Sequence, residues 1–189
     1  MGKFLVVSFY TPSYYDEAVG LIETLYKFDL EHEVQSVPDL GTWEMNCNFK
    51  SQFIREKLES NPDRSIVWLD ADARVMKKPQ MFWEMAEEDL CDFGAHARRG
   101  EGLLSGTLYF ANNPTVHEFV DRWVNLCEKN PTRWDQKNLT VAYEKTPGIV
   151  RHNLDVEYCY IDKRHQHEYP HVEPVILHLQ ASRVKKALK

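Results

Sequence analysis

The 189-residue sequence predicts an α/β fold in which a mixed, mostly parallel central sheet is flanked by helices. Two observations carry this. The apolar runs at residues 4–9 and 65–69 have almost no polar face, as expected of strands covered on both sides. Between them, strand-like runs alternate with stretches whose apolar residues recur three and four apart, so the chain up to Asp70 reads β-α-β-α-β. That order predicts right-handed crossovers and parallel pairing.

Each element has its own signal. Residues 4–9 (Phe-Leu-Val-Val-Ser-Phe) form a strand that stops before a turn at Pro12. Residues 16–28 read as a helix, with Val19, Ile22, Leu25 and Tyr26 at helical spacing and Asp16 and Glu17 suited to its positive end. Residues 33–37 alternate as a second strand, and a loop with Pro38 and Gly41 follows. Residues 48–58 place Phe49, Phe53, Ile54 and Leu58 on one helical face. Residues 65–69 form the third strand. Past Asp72 the pattern loosens: a short helix over 79–88, a strand over 103–112 with Gly106 inside it, and helices over 114–129 and 135–143. Val116, Phe119, Val120, Trp123, Val124 and Cys127 share one face of the helix over 114–129. Short strands are expected at 153–161 and 172–178, and the tail carries Arg183, Lys185, Lys186 and Lys189. No repeat, low-complexity segment or linker is visible, so residues 1–189 are expected to form a single domain.

Composition removes several classes. Hydrophobic residues make up 43% and charged residues 28%, which is ordinary for a globular protein. The net charge of −6 is a poor basis for gripping nucleic acid by charge alone. No apolar run approaches the roughly 20 residues a membrane span needs, and residues 4–9 are too short for a secretory signal. Cys47, Cys91, Cys127 and Cys159 form no CxxC pair, so free thiols in a reducing compartment are expected. A soluble, cytoplasmic protein is the expectation. A dinucleotide-binding GxGxxG is missing after the first strand, as is a phosphate-binding P-loop.

The most informative stretch is Ile66-Val67-Trp68-Leu69-Asp70-Ala71-Asp72. A buried strand delivers two carboxylates at its carboxyl end, where open α/β sheets bind ligands. Residues i and i+2 share a side, so both carboxylates can face one site. Two close carboxylates repel unless a cation sits with them, and a hard divalent ion bound to a diphosphate satisfies that need. The alternative is a pair of turn aspartates at a strand end.

This stretch resembles the DxD motif of GT-A nucleotide-sugar glycosyltransferases, and three further segments follow in that family's order. Residues 103–112, containing Ser105-Gly106-Thr107, resemble its glycine-bearing loop. Trp134-Asp135-Gln136 resembles its second acidic motif, and Val175-Ile176-Leu177-His178 resembles the strand that ends in its metal-ligating histidine. Residues 43–50 resemble a segment that precedes the DxD strand. The resemblance covers most of the chain. It implies that Asp72 and His178 bind Mn²⁺ or Mg²⁺, with Asp70 contacting the metal's water shell or the donor ribose. Imidazole beside carboxylate leans toward Mn²⁺. It implies a UDP-sugar donor, with Thr11 and Tyr14 at base and ribose and with Lys50, Ser182 and Arg183 at the diphosphate. Gly106 would let the backbone approach the sugar, and Ser105 and Thr107 would bond sugar or acceptor hydroxyls. Asp135 would act as general base in an inverting enzyme or orient the sugar in a retaining one.

Simpler readings stand beside these. Gly106 could mark a strand bulge, Asp135 could cap its helix, and His178 could be a hydrogen-bonded core histidine. Trp68, Trp83 and Trp123 read as core. His165 and His167 would share one side of a strand and could hold zinc. Two other functions compete. One is a haloacid-dehalogenase-like phosphohydrolase, although Arg74 stands where its threonine would be. The other is a non-catalytic nucleotide-sugar-binding relative. The acceptor is expected to be a hydroxyl of a glycan, a lipid-linked glycan or a modified DNA base, with Arg98 and Arg99 and the tail cations as a possible patch for a phosphate-rich one. The oligomeric state is left open.

Overall fold

The computed structural model describes residues 3–183; the tail cations Lys185, Lys186 and Lys189 lie outside them. The chain opens with β1 (Phe4–Tyr10), a short 3-10 turn (Pro12–Tyr14) and α1 (Tyr15–Lys27). β2 (His32–Ser36), α2 (Trp43–Ser60) and β3 (Ser65–Leu69) complete the expected β-α-β-α-β unit. β2 and β3 flank β1 and pair with it in parallel. α2 starts five residues before the helix read from the sequence because Thr42 caps it: its hydroxyl accepts the Met45 N–H at 3.1 Å.

β4 (Ala73–Val75) and α3 (Gln80–Glu88) follow, then a hairpin of β5 (Phe93–Arg98) and β6 (Gly102–Phe110). The six-stranded sheet runs β2-β1-β3-β6-β5-β7, with β7 spanning Arg151–Asn153. β6 is antiparallel to both β3 and β5, while β7 is parallel to β5. The sheet is therefore mixed, with its parallel run on the β1 side. β5 has no counterpart among the expected elements, because its Phe-Gly-Ala-His-Ala-Arg has little intrinsic strand preference. The smallness is required by packing, since a Cβ on Gly94 would sit 2.7 Å from Met85 Cε and 3.1 Å from Tyr109 Cβ.

α4 (Pro114–Lys129) and α5 (Asp135–Glu144) cover one face of the sheet, and the expected face of α4 is buried throughout. α1 is set differently. It buries Ala18, Leu21 and Leu25, and Tyr26 is 72% exposed with its ring edge-on to His32. On the same helix Gly20 lies against the Arg74 guanidinium, where a Cβ would meet Nη2 at 2.2 Å.

The expected strand over 153–161 is three elements. β7 ends at Asn153, a 3-10 turn spans Val156–Cys159, and β8 (Tyr160–Ile161) begins a second sheet. The chain leaves one sheet for another and has to turn in between. α6 (Arg164–Glu168) comes next, and β9 (Ile176–His178) is shorter than the expected 172–178, following Pro174, which has no N–H to offer a ladder. The second sheet runs β4-β9-β8. Trp68 and Trp123 are fully buried, and Trp83 packs at the margin with its ring 4.8 Å from that of Phe4.

Candidate active site

The site is built where the two sheets meet. β3 ends at Asp70, whose N–H donates to the Gly106 carbonyl on β6 at 2.9 Å. A tight turn closes when the Ala73 N–H donates to the Asp70 carbonyl at 2.8 Å, and β4 begins. Antiparallel pairing of β4 with β9 sets Ala73 opposite His178. The Asp72 carbonyl accepts the Leu179 N–H at 3.2 Å, and its Oδ2 accepts the Ala181 N–H at 2.9 Å. Two short strands thus bring together residues more than a hundred positions apart. One ligand atom each from Asp70, Asp72 and His178 lies within 4.8 Å of the others.

His178 is held from two sides. Its Nε2 is 2.8 Å from Thr107 Oγ1, and its Nδ1 is 3.8 Å from Asp72 Oδ1. Burial works against its charge, but Asp72 and Cys159 outweigh it and lift its pKa to about 10. Burial also opposes the Asp72 carboxylate, yet His178 and the Ala181 N–H hold it below the usual range. Two carboxylates and an imidazole on a short radius are a fitting donor set for Mn²⁺ or Mg²⁺. Binding a cation there would displace the imidazole proton, because a ligating histidine is neutral.

Lys50 organises the opposite wall. It reaches from α2 with its side chain nearly buried. Its Nζ lies 2.9 Å from Asp70 Oδ1 and 3.0 Å from Asp135 Oδ2, and donates to the Ser105 carbonyl at 3.0 Å. Burial disfavours its charge, but Asp135 and Asp70 more than compensate and hold the ammonium charged, above the usual lysine range. Asp70 is pushed above its usual range by burial, with Lys50 pulling back and Asp72 adding to the rise. The Trp68 indole N–H donates to Asp70 Oδ1 at 2.9 Å, so this core tryptophan also reaches the site. Asp135 is the first residue of α5 and makes no cap bond, so the helix-cap reading does not hold. It is 4% exposed and turns to Lys50.

A cleft of about 1010 Å³ opens over these groups. Of the residues singled out in the sequence, Thr11, Tyr14, Lys50, Asp70, Asp72, Ser105, Gly106, Asp135, His178, Ser182 and Arg183 all line it. Burial, and then Asp72, push the Tyr14 phenol up to about 12, so it stays a hydrogen-bond donor.

Three expectations need correcting. Thr107 does not face the cleft for sugar or acceptor hydroxyls; it is 0% exposed and spends its hydroxyl on His178. Lys50 is turned to Asp70, Asp135 and Ser105, which leaves its ammonium committed within the protein rather than open to a diphosphate. Of the expected basic patch, Arg98 is paired with Glu101 and Glu168 and not open, Arg99 is exposed, and the tail lysines lie outside the described residues.

The remaining alternatives are decided by the same geometry. β6 does bulge against β5 here: the register passes from Ala95↔Leu108 to Ala97↔Leu103, so four β6 residues, Gly106 among them, face one on β5. His165 and His167 lie on α6, where residues two apart point to different sides, and no zinc set forms. His165 is buried with its Nδ1 accepting the Ile161 N–H at 3.0 Å. Among the described residues, the group able to hold a metal is Asp70, Asp72 and His178. The phosphohydrolase reading also fails. Asp70 Oδ1 is bonded to Trp68 and Lys50, and Arg74 turns away to the carbonyls of Glu17 and Ala73. Sequence reasoning missed Asn48, whose amide donates to the carbonyls of Pro131 and Arg133 and fixes the chain before Asp135. The sequence carried no signal for it, because its helical stripe continues through Ser51, Gln52 and Arg55 and reads as polar.

The profile of a family described as nucleotide-diphospho-sugar transferase matches residues 31–187. Among solved structures, a glycosyltransferase involved in glycosylation of the major capsid of PBCV-1 superposes with a TM-score of 0.74 at 16% identity, covering 97% of each chain. The glycosyltransferase GlyE of Streptococcus pneumoniae TIGR4 superposes at 0.62 with 16% identity, over 94% of this chain and 54% of GlyE. The galactosyltransferase LgtC, solved with donor and acceptor sugar analogs, gives 0.57 at 12% identity, over 94% of this chain and 87% of LgtC. A search of curated proteins finds no match. No helix among the described residues is long and apolar enough to cross a membrane.

Proposed function

The chain belongs to the nucleotide-diphospho-sugar transferase family, and from that premise we propose that it moves a sugar from a UDP-linked donor to a hydroxyl of a glycan acceptor in the cytoplasm, with Mn²⁺ or Mg²⁺ held by Asp70, Asp72 and His178. The observation that carries this reading is the convergence of these three side chains within 4.8 Å at the carboxyl end of β3. We take residues 1–189 as one catalytic domain.

When bound, the divalent ion supplies Lewis-acid stabilisation of the charge that develops on the leaving diphosphate. Thr11 and Tyr14 bind base and ribose just beyond β1, and Ser182 and Arg183 bind the diphosphate from the other side of the metal ligands. Thr107 holds His178 in its rotamer and tautomer. Gly106 clears the space the imidazole occupies. Asp135 accepts a hydrogen bond from a hydroxyl at the reacting end of the cleft, and Lys50 fixes that carboxylate relative to Asp70. Of the acceptors considered, a glycan is favoured over a modified DNA base. The net charge is −6, and Arg98, expected to meet phosphates, is neutralised by Glu101 and Glu168. The involvement of the PBCV-1 enzyme in capsid glycosylation is consistent with this choice.

The test is release of UDP from a panel of UDP-sugars, with Mn²⁺ and with a chelator. Metal-dependent release from one or two donors is expected. No release from any donor in either condition would contradict the reading and favour a binding-only relative.

A further inference from the structure

Trp134 stands out among the cleft residues because neither helix formation nor the core explains it. It occupies the N-cap of α5, where Ser, Thr, Asp or Asn would satisfy a first-turn N–H, and its side chain makes no cap bond. It is 45% exposed. Its orientation is nevertheless fixed. Its ring meets that of Trp43, at the start of α2, edge-on with centroids 5.4 Å apart and planes at 71°. The segment leading to it is anchored by the two bonds from buried Asn48 to the carbonyls of Pro131 and Arg133, at 3.0 and 3.1 Å. A braced indole therefore lines the cleft one residue before Asp135. The same cleft offers polar groups: Asp39, Asn46 and Gln136 line it, and Asn46 donates to Asp39 at 2.8 Å.

We propose that Trp134, braced by Trp43, is the platform for the acceptor, and that it stacks on the C–H face of a neutral hexopyranose whose hydroxyl is thereby turned toward Asp135. This rests on the glycosyltransferase reading above. A pyranose has an apolar face and a hydroxyl edge, which match an exposed ring in a cleft that offers polar groups. A flat nucleobase would also stack on an indole, but a nucleic-acid acceptor brings phosphates. The cleft is lined by Asp39, Asp70, Asp72, Glu101 and Asp135 and by Lys50, Lys137, Arg164 and Arg183, of which Lys50 and Arg164 are already paired with these carboxylates. Such a mixed lining is no basic track for a polyanion.

The five tryptophans make the test direct, since each indole N–H gives one NMR signal assignable by substitution. Trp68, bonded to Asp70, reports on the metal and donor end; Trp134 reports on the platform. The probes are the methyl α- and β-glycosides of glucose, galactose and mannose, on the order of tens of millimolar because single-sugar contacts are weak, then thymidine, then UDP with Mg²⁺. The expected result is that at least one pyranoside shifts Trp134 and Trp43 and leaves Trp68 unmoved, while UDP with Mg²⁺ shifts Trp68. In Trp134→Ala the pyranoside response of Trp43 is lost and the UDP response of Trp68 persists. The proposal is overturned if no pyranoside moves Trp134, or if thymidine or UDP moves it more than every pyranoside does. A Trp68 signal indifferent to UDP and Mg²⁺ would instead count against the donor–metal reading, and the pyranoside response of Trp134 would still decide the platform.

Discussion

His178 occupies the space that a side chain on Gly106 would need: a Cβ there would lie 2.9 Å from His178 Cε1 and 3.2 Å from Nδ1. The glycine has no positive φ, so its role is clearance for the imidazole rather than chain flexibility. Gly106→Ala is expected to shift the imidazole against Asp72 and Thr107, because a Cβ at 2.9 Å forces one of the two groups to move. Mn²⁺ affinity, measured by titration calorimetry, should fall at least tenfold. Affinity within twofold of wild type would show that His178 is not a ligand.

Thr107 makes a second, gentler version of this test. Thr107→Val keeps the shape of the side chain and removes the hydroxyl that bonds His178 Nε2 at 2.8 Å. Groups that orient a ligating histidine typically contribute roughly 10- to 100-fold in metal affinity. The variant should lose Mn²⁺ affinity in that range while keeping its circular dichroism spectrum. Unchanged metal affinity would separate Thr107 from the site.

Lys50 holds two carboxylates apart and together. Lys50→Met leaves Asp70 and Asp135 facing each other with no cation, and breaking a buried pair costs about 3–5 kcal/mol. Asp70 is partly open, with its side chain 37% exposed, so screening lowers the expectation to about 2–3 kcal/mol in urea unfolding. Adding Asp135→Asn should recover part of that loss, since the repulsion between the two carboxylates is then removed. Additive losses in the double variant would show that the two residues do not interact.

His165 sets an acid limit on stability. Burial, then Arg98, lower its pKa to about 4, while an unfolded histidine titrates near about 6.5. The unfolded chain therefore takes up the proton first as pH falls. The contribution of neutral His165 is complete above pH 6.5 and is lost progressively toward pH 4, by up to about 3 kcal/mol. The charged and titratable groups around it are Arg98, Glu168, His96 and Arg164, so the comparison is made against His165→Gln, which can still accept the Ile161 N–H. Urea midpoints of wild type should drop more steeply than those of the variant between pH 6.5 and 4. Parallel curves would contradict the assignment.

The parts of this molecule legible in the sequence are those with a strong local period. The run ending Trp68-Leu69-Asp70 and the apolar stripe of α4 each declare their element and their buried face. The clustering of Asp70, Asp72 and His178 could be anticipated only through the resemblance, because it depends on β4 and β9, three residues each and without a period of their own. β5 was invisible for a related reason: Gly94 is small because Met85 and Tyr109 press on it, which is a tertiary demand. The resemblance put Lys50 at the diphosphate, and nothing local indicated that Asp70 and Asp135 would enclose it.

The account stands most directly on one measurement: calorimetric titration of UDP into wild type and Asp72→Ala, each with Mn²⁺ and with a chelator. Asp72 is suited to the test because it lies beside His178 while the neighbouring Leu179 N–H bonds its backbone carbonyl, which the substitution keeps. Wild type should bind UDP with Mn²⁺ and lose at least tenfold in affinity with the chelator, and Asp72→Ala should bind as weakly with Mn²⁺ as without it. Equal UDP affinity in all four conditions would contradict the assignment of Asp70, Asp72 and His178 as a metal-dependent donor site.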